Sequence, residues 1–229
     1  MDLSVRSSEL EWMDDPAHDP EDFGRCLADL AVVNRVTFAT RPTLRWLERA
    51  TREMGAFSLL DIGFGHGDML RAIARWAAKR GKRATLSGID LSPSSERAAR
   101  LATPPELAIE YVTADVFAYE PPIRPDFVVT ALMTHHLPDA NVVELLRWMD
   151  RVAVRGWFNN DLHRHWVAYH AFRAMGGVAR WHTMVRHDGA VSIARSFRRA
   201  EWEALLAEAG ISAEIRWMTP FKLCVGRLK

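Results

Sequence analysis

The sequence predicts an α/β fold on a mostly parallel sheet, and three observations carry that prediction. From about residue 55 onward, short apolar runs alternate with stretches of helical spacing, the order of a parallel sheet connected through helices. The first run breaks into a glycine turn: Leu59 to Asp68 read LLDIGFGHGD, with Gly63, Gly65 and Gly67 at alternate positions. The last two runs, at about 212–218 and 221–228, are separated only by the tight Thr219-Pro220 turn, so they pair antiparallel. Together these give a Rossmann-like sheet of seven strands with an antiparallel C-terminal strand, flanking helices, a helical cap before the first strand and a helical lid inserted after the fifth.

The chain's 229 residues suffice for one such domain, and 48% apolar with 26% charged residues is ordinary for a soluble fold. A net charge of +1 leaves no electrostatic footprint for nucleic acid. Cys26 and Cys224 lie far apart without metal-ligand spacing, which predicts reduced thiols in a cytoplasmic protein. The opening MDLSVRSSELEWMDDP has no apolar signal core, and no run of 18 apolar residues occurs, so no membrane span is predicted. Residues 1–20 read as a flexible acidic N-terminus, 21–54 as the helical cap, and 55–229 as the main domain with its lid at about 161–197. In the cap, Phe23, Leu27, Leu30, Val33, Phe38, Leu44 and Leu47 recur at near-helical spacing and are interrupted at Pro42, which predicts two helices meeting at Arg41-Pro42. Such helices either cover the mouth of a site or pack on the sheet, and spacing supports both equally.

The glycine turn is distinguished by its charge. A dinucleotide-binding turn needs a third glycine where this chain has Asp68, because the helix N-terminus there holds a pyrophosphate that a carboxylate would repel. With Asp61 and Asp68 bracketing the turn, the site suits a ligand that carries adenosine and a positive charge but no phosphate, and S-adenosyl-L-methionine is such a ligand. The second strand ends in TLSGIDLSPSSE, placing Asp90 at its tip, with Leu91 beside it, where an acid accepts hydrogen bonds from both ribose hydroxyls. Ser92 as N-cap and Pro93 at the first helical position keep Asp90 on the loop. The third strand, LAIEYVT at 107–113, ends at Asp115 and Val116, which are placed for the adenine amino group and a ring nitrogen; Asp115 reads equally well as a turn residue. The fourth, DFVVTALM at 126–133, delivers Thr130 and Ala131, whose carbonyls would face the methionine ammonium. All four tips share one crevice.

Asp139 is positioned to cap a helix through NVVELLRWMDRV, and RGWFNND is the fifth strand. The lid that follows holds His163, His165, Trp166, Tyr169, His170, Phe172, Met175, Trp181, His182, Met184 and His187, and its start at a strand's carboxyl end places it over the crevice. A helix at about 199–209 closes on Gly210. Methyl transfer from a sulfonium is mostly a matter of positioning, but a hydroxyl acceptor also sheds a proton, which a histidine with a pKa of about 6.5 can take. Seven of the nine histidines lie between 135 and 187. His135 and His136 follow the fourth strand, so one should face the methyl group, unless they pack on the adenine or cap the next helix. His163 and His165 follow the fifth, where Asp161 can orient either ring as a general base, unless Asn160 and Asp161 are a plain helix cap. Two histidines in H-x-H without a carboxylate or cysteine partner argue against a metal, and none is predicted. His187 in RHDG reads as a turn, beside Arg186, which could pair with an acidic substrate group if it points inward.

From about residue 55 to the C-terminus the chain resembles the class I S-adenosylmethionine-dependent methyltransferases: LLDIGFGHGD matches their first motif, GIDLS the second, TADVF the third and VVTALMTHHLPD the fourth. HHLPD is similar to the ubiquinone and menaquinone biosynthesis type, and NNDLHRH (159–165) with VRHDG (185–189) is similar to bacterial methyltransferases found beside type III polyketide synthases. The resemblance implies S-adenosyl-L-methionine as cofactor, S-adenosyl-L-homocysteine as product, and a small-molecule acceptor of secondary metabolism. Ala131-Leu132-Met133-Thr134 lacks the Asn/Asp-Pro-Pro-Tyr/Phe motif of adenine-N6 enzymes, and no paired glutamates serve a guanidinium. The aromatic lid suits a phenolic, enolic or polyketide-like hydroxyl. Carbon methylation of a quinone-type ring is the alternative, and a non-catalytic binder on the same fold conflicts with the intact acids at 61, 90 and 115.

Overall fold

The computed structural model describes residues 2–12, 20–178 and 183–229; Trp181 and His182 of the lid, and residues 13–19 of the acidic N-terminus, lie outside the described residues. Seven strands form one sheet: β1 Ala56–Ile62, β2 Arg83–Asp90, β3 Glu110–Thr113, β4 Phe127–Ala131, β5 Gly156–Leu162, β6 Glu214–Met218 and β7 Lys222–Leu228. Their order is β3-β2-β1-β4-β5-β7-β6, with β1 to β5 parallel and β7 antiparallel to both of its neighbours. The predicted Rossmann-like sheet is therefore present, and the strand order reverses between β1 and β4, where open α/β sheets bind ligands.

The helices are α1 Pro20–Val36, α2 Arg41–Ala50, α3 Asp68–Lys79, α4 Pro93–Ala102, α5 Asp139–Val152, α6 Trp166–Val178, α7 Thr183–Arg195 and α8 Arg199–Ala209. Because both faces of the central strands are covered, Phe127, Val128 and Val129 of β4 are all apolar and fully buried. On one face Trp46 of α2 stacks on Phe158 at 5.2 Å and meets Phe127 edge-on at 5.5 Å. On the other, Leu145, Trp148 and Met149 of α5 pack with Trp202 and Leu205 of α8. Among the described residues no helix is long and apolar enough to cross a membrane.

Several local expectations change. β3 begins at Glu110, not 107, because residues 105–107 form a single 3-10 turn behind Pro104 and Ala108 has φ 47°. β4 stops at Ala131, where Leu132 turns to φ 56°. The two cap helices are broken at 37–40, with Phe38 at φ 53°, and Pro42 sits harmlessly in the first turn of α2. Pro138, not Asp139, holds the cap position of α5, and the Asp139 carboxylate binds Arg6 instead. Ser92 holds the cap position of α4 without a side-chain cap bond. RHDG is no turn: it lies inside α7, and Gly189 is what lets α7 approach α6, since a Cβ there would stand 2.2 Å from Phe172 Cζ. The N-terminus, expected to be flexible, is tied down over residues 2–12. Ser7 N–H donates to Ala194 O at 3.0 Å, Trp12 stacks on His187 at 4.1 Å, and Glu11 is buried.

Candidate active site

The carboxyl ends of β1, β2, β4 and β5, the segment after β3, and helices α1, α6 and α7 enclose a cavity of about 1030 Å³. The glycine turn forms one wall. Gly63 and Gly65 line it at φ 69° and 52°, and a Cβ on Gly63 would stand 2.7 Å from Met133 Cγ. Gly67 does not line it: at φ 76° its backbone passes so close to β3 that a Cβ would lie 2.5 Å from Tyr111 Oη, so this glycine serves packing. Asp90 faces the cavity and stitches the turn to β2, accepting Gly65 N–H at 2.9 Å on one oxygen and Ser92 N–H at 2.9 Å on the other. Each oxygen keeps lone-pair capacity for a ribose hydroxyl. Leu91, Asp115 and Val116 also line the cavity; Asp115 is a turn residue as well, accepting Phe117 N–H at 3.0 Å. Thr130 is fully buried off the cavity, its hydroxyl donating to Ile62 O at 2.9 Å, and the next residue, Ala131, faces the space.

Asp61 lies beneath the turn, off the cavity and 1% exposed. Burial, with the charges of Asp68 and Asp90, pushes its carboxyl well above the usual carboxylate range. Burial raises Asp68 and Asp90 too, although Asn34 of α1 donates to Asp68 at 3.3 Å. Three neighbouring carboxylates desolvated together are electrostatically receptive to a positive ligand.

Across the cavity, residues 134–136 form a single 3-10 turn after β4. Asp161 was expected to orient His163 or His165; it serves His135 instead. His135 Nδ1 is 2.7 Å from Asp161 Oδ1, His135 N–H donates to Oδ2 at 3.0 Å, Thr134 Oγ1 donates to the same oxygen, and Leu162 N–H donates to Oδ1 at 2.7 Å. Burial works against this carboxylate, but the charge of His135 and these donors hold Asp161 well below its usual range. Burial likewise opposes the imidazolium of His135, and the Asp161 carboxylate with Glu11 overrides it, raising His135 to about 9. His136 lies beside it, ring centroids 4.3 Å apart, and opens onto the cavity.

His163 also lines the cavity; its Nδ1 is buried without a hydrogen-bond partner and its pKa is lowered, chiefly by burial. His165 does not: its Nδ1 accepts Val167 N–H at 3.2 Å at the start of α6. His187 pairs with Glu9 at 3.1 Å and Asp188 at 2.9 Å away from the cavity, and Arg186 is exposed, so neither meets a bound molecule there. Among the described residues, Phe172 is the one tryptophan, tyrosine or phenylalanine of the predicted lid that lines the space, with Met175; Trp166 is 65% exposed and Tyr169 packs with Ala190 and Ile193. The cap divides its work, α1 lining the cavity through Leu27, Leu30 and Asn34 while α2 packs on the sheet.

Four residues at this end carried no signal in the sequence. Arg6 donates to His135 O at 2.8 Å, Leu137 O at 2.7 Å and Arg195 O at 2.6 Å, and pairs with Asp139 at 2.6 Å. Arg195 donates to His135 O at 3.1 Å and His136 O at 2.9 Å, so two guanidinium groups hold the histidine turn from behind. Glu11, 3% exposed, brings Oε1 to 3.5 Å from His135 Nε2 and 3.8 Å from His136 Nε2. Lys222 lines the cavity with 2% exposure, and burial lowers its pKa to about 8.

Residues 59–156 match a family described as a methyltransferase domain. A ubiquinone biosynthesis O-methyltransferase of Leptothrix cholodnii is 33% identical over 128 residues, 53% of this chain, and the chain spans about half of that relative, 51%. One of the same name from Thiobacillus denitrificans is 31% identical over 176 residues, 75% of this chain and 71% of the relative. Among solved structures, the plantazolicin methyltransferase BpumL, in complex with a pentazolic desmethylPZN analog and SAH, superposes with a TM-score of 0.65 at 15% identity over 92% of this chain and 99% of that one. Human N-acetylserotonin methyltransferase, in complex with SAM, gives 0.63 at 14% identity over 92% and 56%. With the four motifs in order on one sheet edge and a relative matched over most of both lengths, the chain belongs to the class I S-adenosylmethionine-dependent methyltransferases.

Proposed function

We propose that the protein transfers the methyl group of S-adenosyl-L-methionine to a hydroxyl of a small, largely apolar acceptor, an aromatic or polyketide-like phenol or enol. One observation carries this reading: a single cavity has the acid-rich glycine turn on one wall, a carboxylate-held histidine pair on the other, and apolar side chains such as Phe172, Met175 and Ile193 between. Adenosine lies along Asp90, Leu91, Asp115 and Val116, and the methionine part crosses Gly63 and Gly65 toward Ala131. The carboxylates at 61, 68 and 90 offset its positive charge. The apolar wall keeps the displacement dry and holds oxygen, methyl and sulfur in line, the larger part of the rate.

His136 opens onto the cavity and is placed to take the acceptor's proton, a step worth about 10²–10⁴ in rate. His135, fixed by Asp161, acts behind it as a positioning residue. The acceptor's oxygen then attacks the methyl carbon, the carbon–sulfur bond breaks, and its electron pair returns to sulfur as the neutral thioether. The ubiquinone biosynthesis O-methyltransferases among the relatives support oxygen over carbon as the accepting atom.

Incubation with methyl-labelled cofactor and a panel of phenols, read by mass spectrometry and carbon NMR, tests the proposal. A methoxy signal supports it. A ring-methyl signal replaces it with carbon methylation, and failure of S-adenosyl-L-homocysteine to bind in calorimetry removes both.

A further inference from the structure

We propose that Glu11, His135 and His136 form a site for one divalent transition-metal ion at the wall of the cavity. Its role in presenting the acceptor's hydroxyl rests on the methyl-transfer reading, but its existence does not. One ligand atom from each residue lies within 4.8 Å of the other two. Glu11 Oε1 stands 3.5 Å and 3.8 Å from the Nε2 atoms of His135 and His136. Ligands at about 2.0–2.1 Å from a tetrahedral ion are spaced by about 3.3 Å, so the two Glu11 distances need to shorten by only a few tenths of an ångström, while the two imidazole nitrogens, within 4.8 Å of each other, close the set by a rotation of the more exposed His136 ring.

Three further features point to a cation. Glu11 Oε1 is buried without a hydrogen-bond partner and stands against the Nε2 atoms of the two histidines, so what it faces is a place for a positive charge. Asp161 holds His135 through Nδ1, which turns Nε2 toward Glu11, the carboxylate–histidine arrangement that orients imidazole ligands at metal sites. Buried Glu11 and Asp161 together match the charge of a dication. Without metal, a proton on His135 occupies the same place between the two carboxylates. The rings do not depend on the ion for their position, because Arg6 and Arg195 grip the backbone carbonyls of His135 and His136.

Two imidazoles and one carboxylate suit zinc or its transition-metal neighbours over magnesium or calcium. Three protein ligands leave a fourth position for an oxygen from water or acceptor, as at catalytic zinc sites; in the metal-loaded protein the ion would acidify the acceptor's hydroxyl, which loses its proton to water, and His136 takes that proton only in the metal-free protein. All three side chains line the same cavity as the glycine turn, so that position is open to the acceptor.

The test uses the full chain stripped with chelator, titrated with cobalt(II) and followed by visible absorption, with zinc(II) as competitor and S-adenosyl-L-homocysteine calorimetry alongside. The expected result is one equivalent of cobalt with the intense bands of four-coordination, displaced by zinc. Glu11→Ala and His136→Ala should each weaken cobalt binding by about 10-fold or more while both variants still bind S-adenosyl-L-homocysteine. Asp161→Asn, which acts only through His135, should cost about 10–100-fold in cobalt affinity. Absence of saturable bands in protein that binds S-adenosyl-L-homocysteine overturns the site and leaves the methyl-transfer reading standing. Bands of unchanged affinity in Glu11→Ala and His136→Ala place the ion elsewhere and overturn it as well. Cobalt binding without S-adenosyl-L-homocysteine binding keeps the site and removes the role in methyl transfer.

Discussion

Replacing Lys222 with methionine is expected to make the protein more stable. Lys222 starts β7 with 2% of its surface exposed, and burial drives its pKa from 10.5 down to about 8 although Asp161 and Cys224 pull the other way. The gap between 10.5 and about 8 corresponds to about 3 kcal/mol, at about 1.36 kcal/mol per pH unit. Below pH 8 both folded and unfolded chains carry the proton, and the folded state bears the whole cost of the buried charge. Between pH 8 and 10.5 the folded state gives up its proton first, so the cost fades and is absent above that window. Methionine is similarly long and unbranched and has no charge to desolvate. Urea unfolding at pH 7 should therefore place Lys222→Met above the wild type by up to about 3 kcal/mol, a midpoint difference of about 1 M for a slope of about 3 kcal/mol/M. The difference should shrink toward zero by pH 10.5. A variant of equal or lower stability at pH 7, or a difference that does not change with pH, would refute the reasoning by showing the ammonium to be well solvated. Because Lys222 lines the cavity, the gain in stability should come with a higher KM for the acceptor.

Three further outcomes are expected. Asp90→Ala removes the acceptor for two backbone amides and for the ribose, and calorimetry should show S-adenosyl-L-homocysteine affinity falling by about 10–100-fold, roughly two hydrogen bonds; unchanged affinity would end the ribose assignment. Gly67→Ala forces a side chain at φ 76° into Tyr111 and should cost about 1–3 kcal/mol in chemical denaturation, and wild-type stability there would contradict the close approach. Burial pushes Cys26 and Cys224 to about 12, so a thiol reagent at pH 7 should label neither until the protein unfolds; rapid labelling of the native protein would mean the thiols are reachable.

The parts of the site legible in the sequence are those that one stretch of chain determines by itself. LLDIGFGHGD contains its strand, its turn and its acids within ten residues, Asp90 ends β2, and Asp115 lies just past β3, strands that pair with their neighbours in sequence. Of the pair Thr130 and Ala131, which side chain would reach the cavity could not be read from sequence, because alternate residues of a strand face opposite ways and a one-residue difference at the tip exchanges a lining residue for a buried one. Asp161 was given the wrong histidine because its neighbours in sequence were counted and its neighbours in space were not. β4 and β5 run side by side in register, Ala131 opposite Asn160, which brings the turn after β4 to the end of β5. Arg6 and Glu11 had no signal at all, since nothing in a polar, acidic segment says which distant surface it will meet.

That distance has a consequence for how the protein is made. The guanidinium of Arg6 donates to the carbonyl of Arg195, 189 residues away, so this segment, made long before α7, cannot take its place until α7 has left the ribosome and packed. While it waits, residues 2–12 must stay in water without sticking to anything, and seven charged or hydroxylic side chains spaced among Leu3, Val5, Leu10 and Trp12 help keep them there. The acceptor wall is thus among the last parts of the molecule to be built, and a chain folded everywhere else would still lack it.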